Sequence, residues 1–140
     1  MTVYLTRREH FCAAHRLHSD SLTSEENQEL FGKCNNPNGH GHNYNVEITV
    51  SGEPCPKTGF VMNLVDLKEL IATHVLRTLD HRNIDLDVPY FAQGKKTSTA
   101  ENIAIYIWDC LTPHFGDGVS LYEVRLWETE KNSVAYRGGK

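Results

Sequence analysis

The stretch HGHNYNVEITVSG, residues 40–52, alternates between two kinds of side chain. His40, His42, Tyr44, Val46, Ile48 and Val50 occupy the even positions, while Gly41, Asn43, Asn45, Glu47, Thr49 and Ser51 occupy the odd ones. A period of two is the signature of a strand with one buried face, so the even set is expected to look inward. Both histidines belong to that set. A strand places them about 7 Å apart along the chain, a gap that two ligands of one ion close by rotating. Two buried imidazoles without partners are costly, which points to a metal as an alternative to a pair of satisfied core histidines.

Upstream, residues 2–14 are rich in strand formers, and His15 closes that segment in phase with Phe11 and Ala13. If the two strands pair, His15 reaches the same interior. Three neutral imidazoles and one open position describe a catalytic zinc site rather than a structural one, with zinc as a Lewis acid toward substrate oxygens. His10, His18, His74 and His114 have no such company and read as surface or packing residues. Cys34 lies before His40 with NNPNG between them. It is a fourth ligand that closes the shell, a thiolate held near a cation as base or nucleophile, or an inert thiol. The residues alone leave all three open.

Downstream, GEPCPKTG turns the chain, and Asn63 caps a helix running to about Leu79 with Leu64, Leu67, Ile71, Val75 and Leu79 at helical spacing. The segment DHRNIDLDVPYFAQGKK, residues 80–96, is a long loop for a small domain and therefore a functional suspect. It opens on Asp80 and His81, a carboxylate able to orient an imidazole for proton transfer, or a histidine placed favourably at a helix C-terminus. Thr23 with Glu26, and Ser98 with Glu101, form capping boxes for a short helix to about Leu30 and a longer one to Leu111, which Pro113 ends. Strands over 119–130 and 133–137 complete the chain. The expected class is α+β, a four-stranded antiparallel sheet with helices on one face. Exposed edge strands make oligomerisation plausible.

In the first of those last strands Tyr122, Val124, Leu126 and Glu128 share a face, so an apolar register ends in a carboxylate. An inward carboxylate needs donors, and a heterocycle with a ring N–H and an amino group supplies a matching pair; the alternative is a splayed, solvated strand end. Lys95 and Lys96, just before a helix N-terminus, are phosphate receivers or a solvated pair.

The chain has 140 residues, 39% hydrophobic and 23% charged, with a formal net charge of −4. This is the composition of one ordinary globular domain, expected over 1–140, and it carries no basic field for nucleic acid or anionic lipid. No stretch approaches the roughly 20 apolar residues that span a bilayer. Four scattered cysteines without a secretory leader predict free thiols and a cytoplasmic protein. There is no dinucleotide-binding glycine motif.

Taken in order, AHRLHS, SEENQELFGKCNNPNGHGHNY, GFVMNLVDLK, LDHRNIDLDVPYF, STAENIAIYIW and WETEKNSVAYRG resemble the 6-pyruvoyl-tetrahydropterin synthase family from end to end. The resemblance implies the T-fold, in which sheets of several subunits join into a barrel, as a homohexamer of two trimers with active sites at subunit interfaces. It implies zinc, one ion per subunit, on His15, His40 and His42, and a catalytic thiol at Cys34 with Asp80 and His81. It places the pterin anchor on Glu128, with further contacts near Thr99 and Glu101.

The implied reaction converts 7,8-dihydroneopterin triphosphate to 6-pyruvoyl-tetrahydropterin, with Mg2+ accompanying the triphosphate. Arg16, Lys33, Lys95 and Lys131 are the candidate phosphate-binding cations. The queuosine-pathway 6-carboxytetrahydropterin synthases share the zinc histidines but usually have a shorter spacer after the cysteine. A catalytically silent pterin-binding protein is the other alternative. Two departures from the family pattern stand out: Ala100, where a second threonine is usual, and Cys12, where serines are usual.

Overall fold

β1 (Val3–His15) and β2 (His40–Gly52) pair antiparallel along their whole length, from Val3 opposite Gly52 to His15 opposite His40. The computed structural model describes residues 1–139. β4 (Ser120–Trp127) pairs with the other edge of β2, and β5 (Ser133–Tyr136) pairs with β4, both antiparallel. These four strands are the expected sheet. A fifth, the two-residue β3 (Arg82–Asn83), joins parallel to Ala13 and Ala14 of β1, giving the order β3-β1-β2-β4-β5. It lies inside the segment read as loop, which also contains the short helix α3 (Ile84–Asp87), capped by Asn83.

The helices cover one face of the sheet. α1 (Ser24–Phe31) opens on the Thr23–Glu26 capping box. α2 (Leu64–Ile71) starts at the Asn63 cap and runs on through a π-turn, Ala72–Leu76, and a closing turn, Arg77–Leu79. Leu67, Ile71, Val75 and Leu79 are fully buried, but Leu64, in the first turn, is largely exposed. α4 (Ala100–Leu111) buries Ile103, Ala104, Ile107 and Leu111. Its cap is Thr99, whose hydroxyl accepts from the Asn102 N–H, so Ser98 does not cap it. Ser98 is fully buried and serves another purpose, described below.

The sheet presents Phe11, Ala13, Tyr44, Val46, Ile48, Val50, Val124 and Leu126 to these helices, as the alternation requires. Tyr122 departs from it. A β-bulge between Thr49 and Val50 sets Val50 opposite Leu121, so Leu121 takes the inward position. Tyr122 turns to the outer face, its ring 4.6 Å from that of the exposed Tyr4. Val124 and Leu126 lie beyond the bulge in the expected phase, which carries Glu128 inward just past the end of β4.

Candidate metal centre and active site

His15 and His40 face each other at the last rung of the β1–β2 ladder, and His42 stands opposite Ala13. Their rings lie 4.7–5.2 Å apart, centroid to centroid, all edge to face. One ligand nitrogen from each lies within 4.8 Å of the others. His15 is 1% exposed. Its Nδ1–H donates to the Ser98 carbonyl at 2.8 Å, which fixes the tautomer and leaves the Nε2 lone pair for a metal.

The other nitrogens show what is missing. Nε2 of His15 and His42 and both ring nitrogens of His40 are buried and lack a hydrogen-bond partner among the described residues. Buried polar atoms are ordinarily paired, so three orphan nitrogens, one from each ring and close together, fit a cation with nitrogen ligands. Burial holds His15 and His42 below the ordinary imidazole range, keeping them neutral as metal ligands must be. Among the described residues, no cysteine sulfur joins the group, so Cys34 is not placed as a fourth ligand.

Glu128 does approach. One carboxylate oxygen lies 3.8 Å from His15 Nε2 and the other 3.9 Å from His42 Nε2. The strand-end carboxylate is therefore turned onto the histidines rather than splayed into solvent. Tyr44 completes the floor, with its ring stacked on Phe11 at 4.8 Å and 5.4 Å from His42. Its hydroxyl is buried without a partner among the described residues, and burial together with the Glu128 and Asp85 charges pushes it far above the ordinary phenol range.

Cys34 sits half-buried in the 3-10 turn Gly32–Asn35. Its carbonyl accepts the Leu17 N–H at 2.9 Å, and the buried Asn35 binds the Leu17 carbonyl through its side chain. The cysteine turn is thereby docked on the segment that continues from His15.

Asp80 and His81 lie against the edge of β1. Asp80 accepts the Cys12 N–H at 2.9 Å, the His81 N–H donates to the Cys12 carbonyl at 2.6 Å, and His81 Nδ1 lies 3.0 Å from Asp80. The Cys12 hydrogen bond is the main reason that Asp80 sits below the usual carboxylate range. His81 takes φ of 62°, a conformation uncommon outside glycine, and its side chain is 82% exposed. The pair borders a cavity of about 430 Å³ whose wall includes His10, Cys12, Asn43 and Asn45. None of the three metal-facing histidines lines it.

The sequence profile described as 6-pyruvoyl tetrahydropterin synthase matches residues 4–139. The chain belongs to the 6-pyruvoyl tetrahydropterin synthase family. It is 55% identical over 134 residues to the human protein named 6-pyruvoyl tetrahydrobiopterin synthase, covering 96% of this chain and 90% of that one. A Dictyostelium discoideum protein of the same name is 48% identical over 137 residues, 98% of this chain and 97% of its own. The solved structure of Caenorhabditis elegans 6-pyruvoyl tetrahydropterin synthase superposes with a TM-score of 0.92 at 45% identity, covering 99% of this chain and 97% of that one. The fold is the T-fold expected of the family, and the chain is an enzyme of the lyase class to which the family belongs.

For this family member, the structure adds residues that periodicity did not single out. Ser98 orients His15 through its backbone carbonyl, which no side-chain pattern announces. Asn35 ties the cysteine turn to the strand end, and its lone signal was its place beside Cys34. Thr99 and Glu101 stand at the start of α4, next to Ser98; Thr99 is engaged as the cap, while the Glu101 side chain is exposed.

Proposed function

We propose that this chain is a zinc-dependent 6-pyruvoyl-tetrahydropterin synthase of tetrahydrobiopterin biosynthesis. It would convert 7,8-dihydroneopterin triphosphate to 6-pyruvoyl-tetrahydropterin with elimination of triphosphate. The observation that carries the reading is the orphaned three-histidine cluster, in a chain that matches this family over nearly its whole length.

His15, His40 and His42 would hold one zinc ion per subunit, which when bound supplies Lewis acidity toward the oxygens of the substrate side chain. Cys34, docked beside the strand end, acts as the base that takes a proton from the side-chain carbon. His81, oriented by the Asp80 carboxylate, moves protons on the other side of the substrate. Glu128 receives the N–H donors of the pterin ring from its position beside His15 and His42, with Thr99 and Glu101 in support at the start of α4. The ring gains the electrons that the side chain loses, so the balance closes without an external reductant. Mg2+ accompanies the triphosphate.

The exposed His81 borders a cavity that none of the three clustered histidines lines. A site that uses both is best completed between copies, and a homohexamer of two trimers with sheets joined into a barrel provides for that. Among the described residues no helix is long and apolar enough to cross a membrane. We place this single-domain enzyme, residues 1–140, in the cytoplasm.

The deciding experiment incubates zinc-loaded protein with 7,8-dihydroneopterin triphosphate and identifies the products by mass spectrometry. The expected products are inorganic triphosphate and a tetrahydropterin that keeps all three side-chain carbons. Release of a two-carbon aldehyde would assign the queuosine-type reaction, and no triphosphate release with zinc bound would mark a silent binding protein.

A further inference from the structure

Beyond the rung where His15 faces His40, the chain leaves both strands as Arg16 and Gly39, and both residues border a cavity of about 350 Å³. Its charged wall consists of Arg16, His18, Lys96, Asp20 and Asp85. Of the acids, Asp85 is engaged within the protein, and Asp20 is turned toward His18. Asp85 accepts the Arg16 backbone N–H at 2.7 Å. Asp20 faces His18 Nε2 at 3.8 Å and packs against Gly94, where an added Cβ would fall 2.0 Å from its carboxylate oxygen.

The donors are in the opposite condition. Arg16 spends its Nε–H on the Asn35 carbonyl at 2.9 Å, and among the described residues its terminal nitrogens have no acceptor. The Asn35 amide nitrogen donates to the Leu17 carbonyl at 2.7 Å and lies 3.1 Å from His18 Nδ1. Because the Leu17 carbonyl fixes which end of that amide is nitrogen, His18 Nδ1 is an acceptor and Nε2 carries the proton. Lys96 lies 5.7 Å over the Tyr90 ring, and no carboxylate among the described residues pairs with it. Two cations, Arg16 and Lys96, thus border one hollow next to the metal cluster, while the His18 N–H is turned to Asp20.

We propose that this cavity receives the phosphate chain of the substrate, with Arg16 and Lys96 as its donors. The assignment rests on the reading of the preceding subsection and names a part of the site it left open. A substrate whose side-chain oxygens lie at the histidines would carry its phosphates one residue past the two strand ends, where Arg16 and Gly39 stand. The guanidinium fork matches phosphate oxygens in pairs, and the ammonium adds a mobile point charge. Of the four cations the sequence offered, the cavity retains Arg16 alone. Lys33, Lys95 and Lys131 do not line it, and Lys95 reaches back to the Pro89 carbonyl.

Calorimetric titration of zinc-loaded protein with inorganic tripolyphosphate, with and without Mg2+, tests this directly. Arg16→Gln and Lys96→Gln should each weaken tripolyphosphate about 10-fold or more, the loss expected of a charge-assisted contact. Both should leave affinity for an unphosphorylated pterin within about twofold, as ligand and cavity are separate, and Lys131→Gln should change neither. Lys96 is exposed, so its substitution carries little risk to folding. Equal tripolyphosphate affinity in all four proteins overturns the proposal, as does a matching loss of pterin and tripolyphosphate. If tripolyphosphate binds as expected but the wild-type protein does not turn over dihydroneopterin triphosphate, the catalytic reading fails while the phosphate site stands.

Discussion

Asp80 and Cys12 are joined by a 2.9 Å hydrogen bond from the Cys12 backbone N–H to the Asp80 carboxylate, which seats the candidate proton-transfer pair on the rim of β1. Asp80→Asn keeps an oxygen for that N–H, so the edge should survive while the anion that orients His81 is lost. We expect an unchanged fold by circular dichroism and turnover reduced about 10²- to 10⁴-fold, the range for general acid–base groups. Asp80 is depressed in the fold. Its contribution to stability is therefore present above the unfolded carboxylate pKa of about 3.9 and is lost as pH falls through the folded value. Urea midpoints between pH 5 and pH 2.5 should fall less steeply in the variant, and parallel curves would contradict the assignment.

Metal content separates ligand from base. His42→Ala should lose zinc by elemental analysis of the purified protein, whereas Cys34→Ala should retain one ion per chain and lose turnover. Loss of zinc from Cys34→Ala would make the thiol a ligand.

Tyr44 carries a buried hydroxyl without a partner among the described residues, and leaving such a group unpaired costs about 1–3 kcal/mol. Tyr44→Phe removes the hydroxyl and little else. The metal-free variant should be as stable as the parent or more so, by up to about 1 kcal/mol in a urea titration. Destabilisation of that size would reveal a partner for the hydroxyl.

Two glycines beside the histidines should respond differently to alanine. At Gly39, φ is +76° and a Cβ would fall 2.9 Å from the His15 carbonyl oxygen, at the rung that aligns His15 with His40. At Gly41 a Cβ would meet the Ala13 carbonyl oxygen at 3.3 Å, and φ lies outside the left-handed region. Gly39→Ala should cost at least about 1–2 kcal/mol and weaken zinc in chelator competition. Gly41→Ala should cost less on both measures, and the reverse order would refute this.

His74, in the π-turn, stacks on His114 with ring centroids 3.8 Å apart. Burial, then His114 and Arg77, hold His74 below its ordinary value. Its contribution is complete above the unfolded imidazole pKa of about 6.5 and declines as pH falls below it. The drop in urea midpoint between pH 7.5 and 5.5 should be smaller in His114→Gln than in the parent. The metal-facing histidines are common to both proteins, so the difference isolates the stacked pair.

Much of the site was legible because strand phase is local. The alternation over 40–52 placed His40, His42 and Tyr44 on one face, and His15 joined them once β1 paired in register. Glu128 was legible for the same reason. Tyr122 was not, since the bulge that reverses it comes from a mismatch with Thr49 and Val50 on another strand. β3 depends on a parallel contact with residues 13 and 14, and two residues are too few to show a period. Ser98 satisfied a capping pattern in the sequence. The hydroxyl one residue later takes the cap, and the Ser98 carbonyl accepts from His15 instead. The stacking of His74 on His114 joins two segments that share no sequence signal.

The bond from His15 to the Ser98 carbonyl spans 83 residues of chain. An insertion or deletion between Gln93 and Thr97 would leave every metal-facing side chain in place, yet shift the carbonyl that chooses the protonated nitrogen of His15. Length changes in that surface loop should therefore register as altered metal dwell time rather than as altered folding. Loop length would in this way tune how firmly these histidines hold an ion.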